Sequence, residues 1–228
     1  MRLSPRISKA ILLKGAQMRK IFMLSCMFVF CLSLYAFASD LQDKKEDEKW
    51  SFPYTKEIGI ISGYAHGNLK EKGSYKIIPG IVRLGFNLDS IGFGFCDLLR
   101  PVARKLDIKL KGFTEIILEP YANAVVSPDS NVEAGCTILL KYSYPLTQKI
   151  YPYALGGGGA AYISQHTREE STQWGFTPQL GAGFSYFFRK DTALNVEYRY
   201  RHFSNADLKK PNDGINVNLF LIGISLFY

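Results

Sequence analysis

The chain has little with which to build a metal centre or a disulfide framework. Its 228 residues include four cysteines and three histidines, and none of these stands at a trusted metal-ligand spacing. Cys26 and Cys31 lie in an apolar N-terminal run. That leaves Cys96 and Cys136 as one pair that an oxidising compartment could join. Long helical periodicity is missing as well. The run Gly156 to Gly159 has no strand–loop–helix context and no following lysine, so it is not a phosphate loop. It reads instead as a place of close packing or bending. The positive charge is thinner than it looks. The net charge is +8, but the first 38 residues hold six basic and no acidic residues, so the remainder carries 22 basic against 20 acidic. This gives no case for nucleic-acid binding. No metal and no cofactor are expected.

The N-terminus reads as an address. Arg19 and Lys20 precede the apolar run Ile21 to Phe37, and Ala36-Phe37-Ala38 is a small-x-small cleavage signal. Residues 1–38 are therefore expected to be a signal peptide, with Met18 an alternative start and a retained membrane anchor the competing reading. Residues 39–52, charged and aperiodic, are expected to be a periplasmic tail. Residues 53–228 then form one domain.

What that domain does have is alternation with a period of two, the mark of β-strands. In 174–188 the even positions carry Trp174, Phe176, Leu180, Phe184, Tyr186 and Phe188, while the odd ones are mostly small or polar. In 194–202 Leu194, Val196, Tyr198 and Tyr200 oppose Asn195, Glu197, Arg199 and Arg201. The same pattern recurs at 82–88, 134–144 and 216–228, and less cleanly at 57–66, 108–120 and 150–163. The count is eight strands.

Alternation alone does not separate a soluble sandwich, polar outside, from a membrane barrel, apolar outside. Three features favour the membrane. The apolar faces carry aromatics near both ends, as a girdle does. The opposite faces mix Gly, Ser and Thr with single charges of both signs (Glu115, Glu119, Lys141, Glu197, Arg199, Arg201), a set able to fill a narrow interior. The chain ends on Phe227-Tyr228 after an alternating strand, which resembles the C-terminal assembly signal of outer-membrane proteins. The expected fold is an all-β, eight-stranded antiparallel transmembrane β-barrel of the outer membrane. Outer loops fall at 67–74, 125–131, 164–173 and 204–214.

One stretch carries chemistry: Glu197-Tyr-Arg-Tyr-Arg-His202-Phe-Ser204-Asn205-Ala206, then Pro211-Asn212-Asp213-Gly214 and Asn216. His202 and Asn216 share the even, lipid-facing register, as does Ser204 if the strand continues. Glu197 points inward, where an ion pair with Arg199 or Arg201 is expected. A serine hydroxyl needs an adjacent base, and a third group normally orients that base. Asn205, Asn212 and the amides around Gly214 are available oxyanion donors. His66 and His166 carry no comparable pattern.

The His202-x-Ser204-Asn205-Ala206 run, its spacing to Pro211-Asn212-x-Gly214, and the aromatic terminus resemble the C-terminal signature of PagL-type lipid A 3-O-deacylases. The resemblance implies a Gram-negative outer-membrane hydrolase acting on lipid A of lipopolysaccharide, with the membrane as its surroundings and its site facing the outer leaflet. It implies His202 as base, Ser204 as nucleophile, and Asn205 and Asn212 supporting the oxyanion. The family's triad ends in a glutamate where this sequence has Asn216. Asp213 is the nearer acid that could compensate. A non-catalytic or attenuated barrel is the alternative, and a homodimer is open.

Overall fold

A computed structural model describes residues 52–95 and 111–228. The expected signal peptide, most of the N-terminal tail, Cys96 and the first residues of the strand expected at 108–120 lie outside the described residues. Cys136 is exposed, with a free thiol.

The described chain is a single antiparallel sheet. Its strands are β1 (Lys56–Leu69), β2 (Gly73–Ile78), β3 (Gly80–Asn87), β4 (Phe113–Ser127), β5 (Asn131–Ser143), β6 (Ile150–Ile163), β7 (Trp174–Phe176), β8 (Gln179–Phe187), β9 (Thr192–Phe203) and β10 (Ile215–Phe227). Neighbours around the sheet pair antiparallel, β7 and β8 both on β6 and β2 and β3 both on β1 and β4, and β1 pairs β10 from Glu57↔Phe227 to Gly67↔Val217, which closes the sheet on itself. Ten segments make eight positions around the ring. β2 and β3 are one strand interrupted at Pro79, and β7 and β8 are one strand interrupted at Thr177-Pro178. Proline lacks the N–H that a ladder needs, and both breaks fall at one, though Pro120 and Pro152 are accommodated inside β4 and β6. The strand expected at 108–120 sits later, at Phe113–Ser127. Its clean alternation is masked in the sequence by Pro120 and by the apolar pair Ile116-Ile117.

Burial follows residue parity. Ile58, Ile60, Leu84, Leu118, Ile138 and Phe220 face outward and are exposed, Ile60 to 73%. Their odd-numbered neighbours are buried. Large apolar side chains facing out while charged ones face in is the inverse of a soluble sandwich, and it is what a lipid-embedded barrel requires.

The interior has three layers. At the end carrying Phe52 and Tyr228, Phe52 stacks on Phe113 at 3.8 Å, and Tyr151, Phe187 and Phe227 close around them edge-on. The middle is ionic. Lys141, fully buried, reaches Glu57 at 2.9 Å and Glu115 at 2.8 Å. Arg83 reaches Glu119 at 2.8 Å and Glu197 at 2.9 Å. Arg199 pairs with Glu119 and Glu197, and Arg201 with Glu133. The expected inward ion pair of Glu197 thus forms with Arg199, and its second partner is Arg83 rather than Arg201. The opposite end is filled by Ile61, Ala65, Leu69, Ile77, Phe203 and Val217. Side chains plug the lumen; it is a core.

Candidate functional site

The site builds up from the outer end of β9. Tyr198, Tyr200 and His202 share its lipid-facing register, and Asn216 lies directly across from His202 on β10. Two residues face to face across antiparallel strands have side chains within reach. Here His202 Nδ1 and Asn216 Oδ1 are 2.7 Å apart. An amide oxygen only accepts, so this contact requires a proton on Nδ1 and leaves Nε2 with its lone pair free. One turn lower on the same face, the Tyr198 hydroxyl donates to Asn218 Oδ1 at 2.7 Å.

Ser204 lies beyond the regular strand yet keeps its register, because β7 captures it. The Phe176 amide donates to the Ser204 carbonyl at 2.7 Å, and the Ser204 amide to the Phe176 carbonyl at 3.1 Å. The His202 amide donates to the Pro178 carbonyl at 2.9 Å. The break in the β7–β8 strand is therefore where the site's own strand is clamped. Among the described residues no hydrogen bond reaches the Ser204 hydroxyl, which is half-buried. Residues two apart on a strand stand roughly 7 Å apart along the backbone, so His202 and Ser204 present their side chains to the same patch. Beside that patch, Gly158, Gly159, Ala160, Phe176 and Pro178 line an open apolar hollow on the barrel wall. The glycine run has no side chains to fill it. At Gly159 a Cβ would lie 1.9 Å from the Cys136 carbonyl oxygen, so close strand approach also excludes larger residues there.

The loop 204–214 is held as a unit. Ala206 and Asp207 adopt the left-handed conformation, with φ of 55° and 64°, which turns the chain back after Asn205. The Asn205 side-chain amide donates to Ser171 Oγ at 3.1 Å and to the Lys209 carbonyl at 2.8 Å. The Asn205 backbone amide is shared between Asn212 Oδ1 at 3.0 Å and Glu170 Oε2 at 3.2 Å. Asn212 Nδ2 donates to Asp207 at 3.1 Å. Asp207 is exposed, and hydrogen bonds from Lys210 and Asn212 hold its carboxyl below the usual range. Asn205 thus spends its donors on the loop, as Asn212 spends its side-chain amide, while Asn205 Oδ1 is buried without a hydrogen-bond partner among the described residues. Gly214, at φ 75°, packs its Cα against the imidazole: a Cβ there would lie 2.2 Å from His202 Cε1. Glycine is required by both the backbone sign and the ring.

Glu170, in the loop between β6 and β7, was not part of the sequence motif. Its Oε1 accepts the Gly214 amide at 2.9 Å, and its Oε2 the Asn205 amide. It is 6% exposed. Burial raises its carboxyl above the ordinary value, an effect only partly offset by the two amide donors and by His202. Asp213, the nearer acid in the sequence, gives its carboxylate to Lys70 Nζ at 2.6 Å in an exposed pair. No local signal marks Glu170; Arg168-Glu169-Glu170 reads as a solvated loop. Among the described residues no group of three His, Cys, Asp or Glu side chains could hold a metal ion.

A closed antiparallel barrel with an apolar exterior and an ionic interior is an outer-membrane β-barrel. Its sequence profile names the family: the profile described as lipid A 3-O-deacylase (PagL) matches residues 103–225, more than half of the chain, and the chain belongs to that family. Among solved structures, Neisserial surface protein A is similar with a TM-score of 0.51 at 12% identity, covering 76% of this chain and 97% of that one. The outer-membrane enzyme PagL gives a TM-score of 0.48 at 16% identity, covering 75% and 98%. The N-terminal barrel domain of Pseudomonas aeruginosa OprF gives 0.46 at 12%, covering 77% and 98%. No curated protein matches. Family membership assigns a lipid A deacylase-type role in general and places the chain in the Gram-negative outer membrane.

Proposed function

We propose that this protein is an esterase that removes the ester-linked 3-O-acyl chain of lipid A by serine–histidine catalysis, working from the outer leaflet. The observation that carries the reading is the 2.7 Å contact between His202 Nδ1 and Asn216 Oδ1 on the lipid-facing surface. It orients the imidazole so that Nε2 serves as the base. In the proposed reaction Ser204 Oγ attacks the acyl carbonyl carbon and passes its proton to His202 Nε2. The tetrahedral intermediate collapses, the sugar oxygen leaves, and His202 returns the proton to it. Water, activated by the same nitrogen, then releases the 3-hydroxy fatty acid and restores the serine. The hollow beside Phe176 is a place for the acyl chain. Asn205, Asn212 and Gly214 support the oxyanion after exchanging their present acceptors. In this reading residues 1–38 direct export, and residues 53–228 form the barrel with both strand ends in the periplasm.

The test is mass spectrometry of lipid A from cells expressing the wild type or Ser204→Ala. The wild type is expected to remove one 3-hydroxyacyl group and the variant none. Identical spectra from the two would defeat the assignment. Asn216, neutral where the family has a carboxylate, favours a second reading: an attenuated or non-catalytic barrel. That reading requires wild-type lipid A to stay intact at every expression level.

A further inference from the structure

The family's acid does two things for its histidine. It accepts the Nδ1 proton, and it brings negative charge close to the imidazolium that forms when the serine is deprotonated. Asn216 does the first and, being neutral, does none of the second. The charge has to be sought elsewhere, and the two loops offer four carboxylates among the described residues. Asp207 is exposed and paired with Lys210 at 2.9 Å. Asp213 is half-exposed and already neutralised by Lys70. Glu169 spends an oxygen on the Lys70 backbone amide at 2.5 Å, on the far side of the loop. Glu170 is different. It is buried, has no cationic partner among the described residues, and accepts hydrogen bonds only from two neutral amides, those of Asn205 and Gly214.

Those two amides belong to the site. Gly214 donates to Glu170 through its nitrogen and touches the His202 ring through its Cα. Gly214 therefore links the carboxylate to the imidazole. An unpaired carboxylate in a buried place is costly, and it becomes favourable when a cation appears nearby. In the proposed reaction the cation that appears is protonated His202. An interaction that exists in the charged intermediate and not in the resting site lowers the barrier rather than merely tightening binding.

We propose that Glu170 is a positioning residue that supplies the negative charge for protonated His202, so that the two tasks of the family's glutamate are divided here between Glu170 and Asn216. The other charged groups around Glu170 are accounted for. Asp213 and Lys70 neutralise each other, and Arg168 on its own loop is turned to Glu71 at 2.8 Å in solvent. The proposal rests on the deacylase reading, so its test includes a measurement that needs no turnover.

The protein is compared in detergent micelles with Glu170→Gln, with Ser171→Ala, and with Glu170→Gln/Asn216→Glu, all in a His66→Gln/His166→Gln background so that one histidine remains. Ser171→Ala removes hydrogen bonds of the same loop but keeps the charge. Glu170→Gln is expected to lower kcat by about 10- to 100-fold. It is also expected to move the acid limb of the pH–rate profile, and the pH at which the histidine ring signal changes by NMR, downward. The sign follows because removing a negative charge makes the imidazolium harder to form. Asn216→Glu restores most of the rate and returns the limb upward. Ser171→Ala leaves the limb in place. The proposal is overturned if the histidine signal titrates identically with Gln at 170, or if Ser171→Ala moves it equally, which would make Glu170 a loop staple. Absence of turnover in the wild type defeats the deacylase reading alone; the NMR titration still decides the role of Glu170.

Discussion

The inside and the outside of this barrel treat polar groups in opposite ways. Inside, nearly every charge is answered: Lys141 by two glutamates, Arg83 by two, Glu133 by Arg201, the Tyr75 hydroxyl and Asn123. Ser185, Asn195 and Ser225 continue the network to Glu57. On the lipid-facing surface polar side chains are few, and the principal pair, His202 and Asn216, makes one contact between them. A half-buried serine sits beside it with its hydroxyl unengaged. Polar groups at lipid level are expensive. Inside, the cost is met by pairing, so the charges there are structural. Outside the pairing is incomplete: His202 meets Asn216 and Tyr198 meets Asn218, but the Ser204 hydroxyl is left available to something that binds.

The first way to break this comparison is to unbalance the interior. Lys141→Met strands Glu115 without a cation and leaves Glu57 only Arg83, at 3.9 Å. It is expected to cost about 3–5 kcal/mol in urea unfolding from lipid vesicles, while folded protein keeps its deacylation rate. A polar group can next be put where none is answered. Ile60→Arg on the apolar wall is expected to cost about 2–4 kcal/mol if the residue lies near the bilayer midplane, by the same assay. A cost near zero would mean that this face is wet.

Gly214→Ala pushes a Cβ into the His202 ring and leaves a left-handed residue strained. It is expected to lower deacylation about 100-fold through misplacement of the imidazole, with stability reduced by only about 1–2 kcal/mol, measured by lipid A turnover beside urea unfolding. The smallest effect expected is in Asn216→Glu alone. If Glu170 already supplies charge, the gain is roughly tenfold or less, about 1.4 kcal/mol off the barrier. A much larger gain would say that the charge was missing.

Much of the fold was legible because a strand's side-chain period is two and local. Glu115, Glu119, Glu197 and Arg199 were readable as inward from their neighbours alone. Which of them meet was not. Arg83 and Glu197 are 114 residues apart, and only the ring order brings β3 and β9 to the same lumen level. In the same way Val217 was readable as inward, but not its place with Leu69, which the sequence put in a loop, and Phe203 in an apolar layer above the ions.

At the site, His202, Ser204 and Asn216 stood in the sequence as a motif because one hairpin carries them, and a hairpin's register is short-range. Asn205, Asn212 and Gly214 were visible as turn chemistry, but their mutual hydrogen bonds were not. Glu170 was invisible. It reaches the site through a neighbouring loop, and the alternation that exposes strand residues says nothing about loops. By itself the sequence determined which face of each strand meets lipid and where the serine–histidine pair stands, since both depend on spacing along one stretch of chain. The tertiary structure alone decided that a carboxylate from a neighbouring loop, Glu170, is held by the amide of Gly214, the residue that packs against the histidine, because closure of the barrel sets two outer loops against each other.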